Sequence, residues 1–175
     1  MKKKNFEGTV LTLLFFVLPI FILAQNQSLN VDPADMKRLE GTWKGNLTYK
    51  DYTTGEQESI DVTIVGSAQD KKAGNRTWIM EFKYPGENGK GGKELLSVSG
   101  DGNEVSGKKV IENTRLPDGS WKIILEEKGN DGNNYRKATF HHIIIVNNKK
   151  LTITKMVKFD DGNEYFKRNE FAVSR

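Results

Sequence analysis

The sequence predicts an all-β protein: an antiparallel up-and-down meander of eight to ten strands that closes into a barrel, preceded by one short helix. Three observations predict it. Bulky side chains recur at every second position in Trp78-Met80-Phe82-Tyr84, Trp121-Ile123-Leu125 and Ala138-Phe140-His142-Ile144-Val146, the period of half-buried strands. The links between such runs are short and carry Gly, Asn or Asp, which tolerate the positive φ of tight hairpins and so force antiparallel neighbours. Asp-Gly-Asn also recurs around Gly102, Gly132 and Gly162, at intervals of 30 residues. Two strands with their turns, at about 15 residues each, account for that interval and predict that the three turns share one rim with the start of the first strand.

At the N-terminus, Met1-Lys2-Lys3-Lys4 is followed by an apolar run from Val10 to Leu23 and a small residue, Ala24. This is the pattern of a cleaved secretory signal over residues 1–24. The run contains Pro19 and falls short of the roughly 20 residues that cross a bilayer, so no stable membrane anchor is expected after cleavage. Cleavage would remove three lysines and Glu7, leaving 24 basic against 22 acidic residues, a net charge of +2. That is no nucleic-acid footprint. With no cysteine in the chain, disulfides, thiol chemistry and cysteine-ligated metals are excluded. The expectation is a monomer, secreted or periplasmic, built as one domain.

Residues 25–40 form an N-terminal segment in which Asp32 caps, Pro33 opens and Gly41 ends a helical turn, with Met36 and Leu39 on one face. The barrel domain covers 41–175, with strands expected near 42–52, 58–66, 76–84, 93–100, 104–115, 120–128, 134–147, 150–159 and 163–174. Nine antiparallel strands would leave the first and last parallel, so closure requires eight or ten. A barrel removes exposed edges. A two-sheet sandwich is the alternative.

The Asp-Gly-Asn stretches fit hairpin turns better than calcium loops. In an EF-hand loop an acidic residue follows six positions after the glycine; here those positions hold Lys108, Ala138 and Arg168. Rim carboxylates Asp101, Asp131, Asp160 and Asp161, clustered if the three turns are neighbours, could hold a cation weakly, but the hairpin reading is favoured. No metal site and no cofactor are expected.

Leu39-Glu40-Gly41-Thr42-Trp43-Lys44-Gly45 resembles the Gly-x-Trp signature of lipocalins, within the calycin group that includes fatty-acid-binding proteins and avidins. The resemblance implies that Gly41, Trp43 and Arg168 are structural, with the tryptophan at the closed end beneath a basic residue of the last strand. It also implies binding of a small, largely apolar molecule. Inward-phase candidates for such a ligand are Tyr49, Trp78, Met80, Phe82, Trp121, Ile123, Phe140 and His142. The same side chains could instead fill the barrel. His142 points inward while His141 points out; it is open to readings as a core histidine, a haem ligand or a general base. No hydrolase, zincin, P-loop or dinucleotide motif occurs, so no catalytic residue is assigned. An isomerase or hydrolase using His142, Arg168 or Glu170, and an interaction module acting through the loop at 84–90, remain the alternatives.

Overall fold

The computed structural model describes residues 29–51, 53–70, 74–87 and 90–175; the expected signal peptide lies outside them. A helical turn, α1 (Pro33–Met36), continues as a 3-10 turn to Leu39 and leads into ten strands. They are β1 (Gly41–Lys50), β2 (Gln57–Ala68), β3 (Thr77–Lys83), β4 (Gly91–Ser97), β5 (Glu104–Val105), β6 (Lys108–Arg115), β7 (Trp121–Asp131), β8 (Arg136–Val146), β9 (Lys150–Phe159) and β10 (Phe166–Ser174). Apart from β4 and β5, each pairs antiparallel with its chain neighbours, and β1 pairs with β10 from Lys44–Ser174 to Tyr49–Asn169. The other junction, between β4 and β5, is a single bridge from Val98 to Val105, supported by Ser106 N–H donating to Ser97 O at 2.7 Å. The result is a nearly closed barrel, as expected, rather than a sandwich.

The strand count is ten because the run at 104–115 is two strands. Ser106 and Gly107 have φ of 53° and 73°, the paired left-handed conformations of a two-residue hairpin, and they reverse the chain between β5 and β6. This extra reversal corrects the expected placing of the turns. Three strands, not two, separate Gly102 from Gly132. The Gly102 turn therefore lies at the end that holds α1, where its carbonyl accepts from Val31 N–H at 2.9 Å, while the Gly132 and Gly162 turns lie at the opposite end. Asp101 is thus remote from Asp131, Asp160 and Asp161. Its carboxylate is taken up within its own turn by the Ser99 hydroxyl at 2.7 Å and by Asn103, contacts that hold its carboxyl down to about 2. Among the described residues no group of three or more His, Asp or Glu side chains could hold a metal ion.

The α1 end, called lower here, is plugged. Asp32 caps the turn by accepting from Ala34 N–H at 2.8 Å, with Pro33 in the first helical position. Val31, Met36 and Leu39 then point into the barrel and join one core with Trp43, Trp78, Trp121, Ile64, Met80 and Leu151. Each such side chain contributes about 1.5–3 kcal/mol by leaving water. The indoles are buried without polar loss: Trp43 Nε1 donates to Leu39 O at 3.0 Å, Trp78 Nε1 to Glu40 Oε1 at 3.0 Å, and Trp121 Nε1 to Asn113 Oδ1 at 2.8 Å.

The plug seats because Gly66 of β2 has no side chain: a Cβ there would overlap the Leu39 carbonyl oxygen, whereas one at Gly100 would meet nothing within 4 Å. Gly66→Ala is expected to destabilise by about 2 kcal/mol in urea denaturation, the order of an overpacked core site, and Gly100→Ala by under about 0.5 kcal/mol. Equal effects would mean that the plug is not tightly seated.

Candidate functional site

Side chains alternate along each strand, so the inward phase can be followed from the plugged end to the open one. On β7 it runs Trp121, Ile123, Leu125, Glu127, Asp131; on β8, Val146, Ile144, His142, Phe140; on β9, Leu151, Ile153, Lys155, Val157. The lower half is apolar and sealed. Above it the wall differs from side to side.

On one side, β1, β2, β3 and β10 present Leu47, Tyr49, Ile60, Phe82, Tyr84 and Phe171. The Phe82 and Phe171 rings approach across the lumen to 5.1 Å between centroids, tilted by 47°. Two cavities open beside them. One, of ≈360 Å³, is lined by Leu47, Tyr49, Ile60, Tyr84, Arg168 and Asn169 among others. The second, of ≈270 Å³, is bounded by Phe82, Tyr84, Glu94 and Phe171, with the glycine edge of β4. Tyr49 donates its hydroxyl to Glu58 Oε2 at 2.5 Å, which raises its pKa above the ordinary phenol value. A larger cavity of ≈620 Å³ lies at the plugged end between α1 and the link from β2 to β3. Its lining includes Asp70 and Gly74, on either side of residues 71–73, which lie outside the described residues. The Trp78 nitrogen at its edge is already bonded to Glu40.

The opposite wall is ionic. Lys108 Nζ lies 3.8 Å from both Glu94 Oε1 and Glu127 Oε2, Glu127 Oε1 lies 2.7 Å from His142 Nε2, and Lys155 Nζ lies 3.9 Å from Asp131 and 4.1 Å from the centre of the Phe140 ring. Topology explains why such groups face inward. Residues 91–95 of β4 and 127–131 of β7 have no strand between them, because β5 is two residues long and β6 begins only at Lys108. The sheet is slit there, and the Lys108 contacts to Glu94 and Glu127 tie its lower end. These side chains remain partly exposed, Glu94 to 51% and Glu127 to 35%, which keeps their charges tolerable where a sealed barrel would not.

The structure divides the eight ligand candidates. Trp78, Met80, Trp121 and Ile123 are sealed in the lower core, and Phe140 is buried in a separate small cluster with Ala138 and Val157. Tyr49, Phe82 and His142 face the open half. The inward alternatives left by the sequence, filled barrel or hollow one, are both realised, one above the other.

Of the structural residues, Gly41 has φ of 112° and begins β1, and Trp43 is fully buried at the plugged end. Arg168 is not its partner, which corrects the resemblance. The guanidinium over Trp43, at 4.0 Å from the ring centre, belongs to Arg175, which also donates to Glu40 O at 2.8 Å. Arg168 is seven residues away at the upper rim, where β10 slips register against β9, and it donates to the Lys50 carbonyl. Glu170 is bonded to Thr154 and Lys167. The loop at 84–90 includes residues 88 and 89, outside the described residues.

Sequence reasoning missed Lys108, Glu94 and Lys155; it treated Asp131 only as a rim carboxylate and Glu127 only as diverging from Glu126 across the strand. The phase itself carried the signal, since continuing Trp121-Ile123-Leu125 by two residues reaches Glu127. His141, on the outer face, meets Glu126 Oε2 at 3.1 Å and stacks on Tyr165 at 4.2 Å.

No protein-family model matches the chain, and no curated protein matches it. Among solved structures, Rv2717c from M. tuberculosis aligns with a TM-score of 0.47 and 12% identity, over 83% of this chain and 98% of that one. At those values nothing about ligand or activity passes from that protein to this one. Fold and site define a ten-stranded antiparallel barrel with one end packed solid and the other open.

Burial pushes the His142 imidazole below its ordinary value, and the Glu127 hydrogen bond and charge oppose that shift without overcoming it. A base depressed in the folded state binds fewer protons there than in the unfolded chain, so stability should fall as pH drops below about 6.5. Glu127→Gln removes the opposing contribution and is expected to lower the His142 pKa further, read from its imidazole NMR titration. An unchanged or raised value would place His142 outside this network.

Proposed function

We propose that the protein is an exported, lipocalin-like container that binds or carries a small, largely apolar molecule in the upper half of its barrel. The observation that carries this reading is the half-exposed wall of Leu47, Tyr49, Ile60, Phe82, Tyr84 and Phe171 around open space, in a barrel whose other end is tightly packed. Apolar and aromatic surface left facing a concave, pre-formed cavity is what small-molecule sites are made of. A chain that needed only a stable core could fill the upper half as it fills the lower. The ionic wall opposite supplies the few polar groups that orient a ligand.

The supporting experiment is native mass spectrometry of the protein purified from its own host, with solvent extraction of whatever stays bound. A stoichiometric small molecule is the expected result. Leu47→Trp adds bulk to the ≈360 Å³ cavity and is expected to weaken binding of a neutral apolar fluorophore, N-phenyl-1-naphthylamine, at least tenfold while leaving the thermal midpoint within a few degrees. Unchanged probe affinity in that variant would count against the cavity as the site.

A further inference from the structure

The ≈270 Å³ cavity has a lining unlike that of a plain apolar pocket. Three aromatic side chains, Phe82, Tyr84 and Phe171, border it together with the Glu94 carboxylate. Its remaining boundary is Gly91, Gly92 and Lys93. A Cβ on Gly92 would meet no atom within 4 Å, so the glycine edge leaves room beside the rings. Lys93 alternates to the outer face, where its ammonium lies 3.7 Å from Glu81 Oε1. The acid is the only ionised side chain of the lining that faces the lumen.

The charges behind it leave a surplus. Glu94 and Glu127 share one lysine, Lys108, at 3.8 Å each, and His142, bonded to Glu127, is held toward its neutral form. Further along the wall Lys155 stands beside Asp131. Three carboxylates thus face two ammonium groups, and the acid at the cavity is the one whose side chain is half exposed, at 51%. At the rim above, Arg168 stands near Asp51 and Lys90 is paired with Glu87, so each of these cations has a carboxylate beside it. Aromatic faces attract cations through the ring quadrupole, and a ring set with a carboxylate at its side suits an organic ammonium, whose charge is spread over alkyl groups and is cheap to desolvate. A free carboxylate ligand would meet net negative charge there.

We propose that this cavity is a site for a small alkylated ammonium compound, with Phe82, Tyr84 and Phe171 supplying ring faces and Glu94 the counter-charge. The proposal rests on the reading of the upper lumen as a ligand site and names the chemistry of its occupant. Three probes of matched shape test it by calorimetry on the isolated protein: choline, its neutral isostere 3,3-dimethylbutan-1-ol, and the anion 3,3-dimethylbutanoate. Choline is expected to bind saturably and at least tenfold more tightly than the alcohol, with the anion weakest. Glu94→Gln is expected to abolish the preference of choline over the alcohol, and Phe171→Leu to weaken choline at least threefold. Because Glu94 is half exposed, its variant should keep the wild-type unfolding curve, and this is checked alongside. Equal affinity of choline and the alcohol, tighter binding of the anion, or a preference that survives Glu94→Gln overturns the proposal. N-Phenyl-1-naphthylamine separates the two levels: if it binds and choline does not, the ammonium assignment falls and the container reading stands, and if neither binds, both fall.

Discussion

Antiparallel pairing of β1 with β10 closes the sheet, and it is possible only with an even number of strands. Everything else about the molecule is arranged around that condition. The tenth strand is supplied by the smallest possible device, a two-residue reversal at Ser106–Gly107 that makes β5 only two residues long. A strand so short cannot cover the height of the barrel. Closure at the lower end and a slit at the upper end are therefore one event, and the slit decides where charge can face inward.

The two halves of the lumen follow different physics. Below, three tryptophans, α1 and the aliphatic residues of β2, β7 and β9 exclude water, and each indole nitrogen has an acceptor, so no polar group opposes the packing. Among the described residues no buried side-chain nitrogen or oxygen lacks a hydrogen-bond partner. Above, Lys108, Glu94, Glu127, His142, Lys155 and Asp131 are paired but partly wet. Ion pairs in that setting contribute little net stability, because desolvation offsets much of the attraction. Under the proposed function, their arrangement offers polarity to a ligand.

What could be read from the sequence follows from how each signal is written. Long alternating runs such as 138–146 declare strands by themselves, and the Asp32–Pro33 cap declares the helical turn. The run at 104–115 concealed its reversal because β5 contributes only two residues before the turn, too few to show an alternation of their own, although Ser-Gly is a recognised turn pair. That one omission moved the Gly102 turn to the wrong end. The placing of Arg168 over Trp43 failed for a different reason: antiparallel pairing of β1 with β10 sets the start of β1 beside the end of β10, which brings Arg175 to the indole and leaves Arg168 at the other end of the strand. The ionic wall was overlooked because Lys and Glu in a strand are ordinarily taken for its solvent face, whereas here those on the inner face are partly exposed as well. His142 was placed inside by phase alone, and its partner Glu127 was one alternation beyond Leu125.

The barrel is solid at one end and open at the other. Acrylamide quenching of tryptophan fluorescence measures this directly, because all three native indoles lie in the solid half. Little quenching is expected for the native protein, and strong quenching of the added signal when an indole is introduced in the open half by Tyr84→Trp. Strong quenching of the native tryptophans, or a Tyr84→Trp signal shielded as well as theirs, would contradict the division of the lumen on which the proposed function depends.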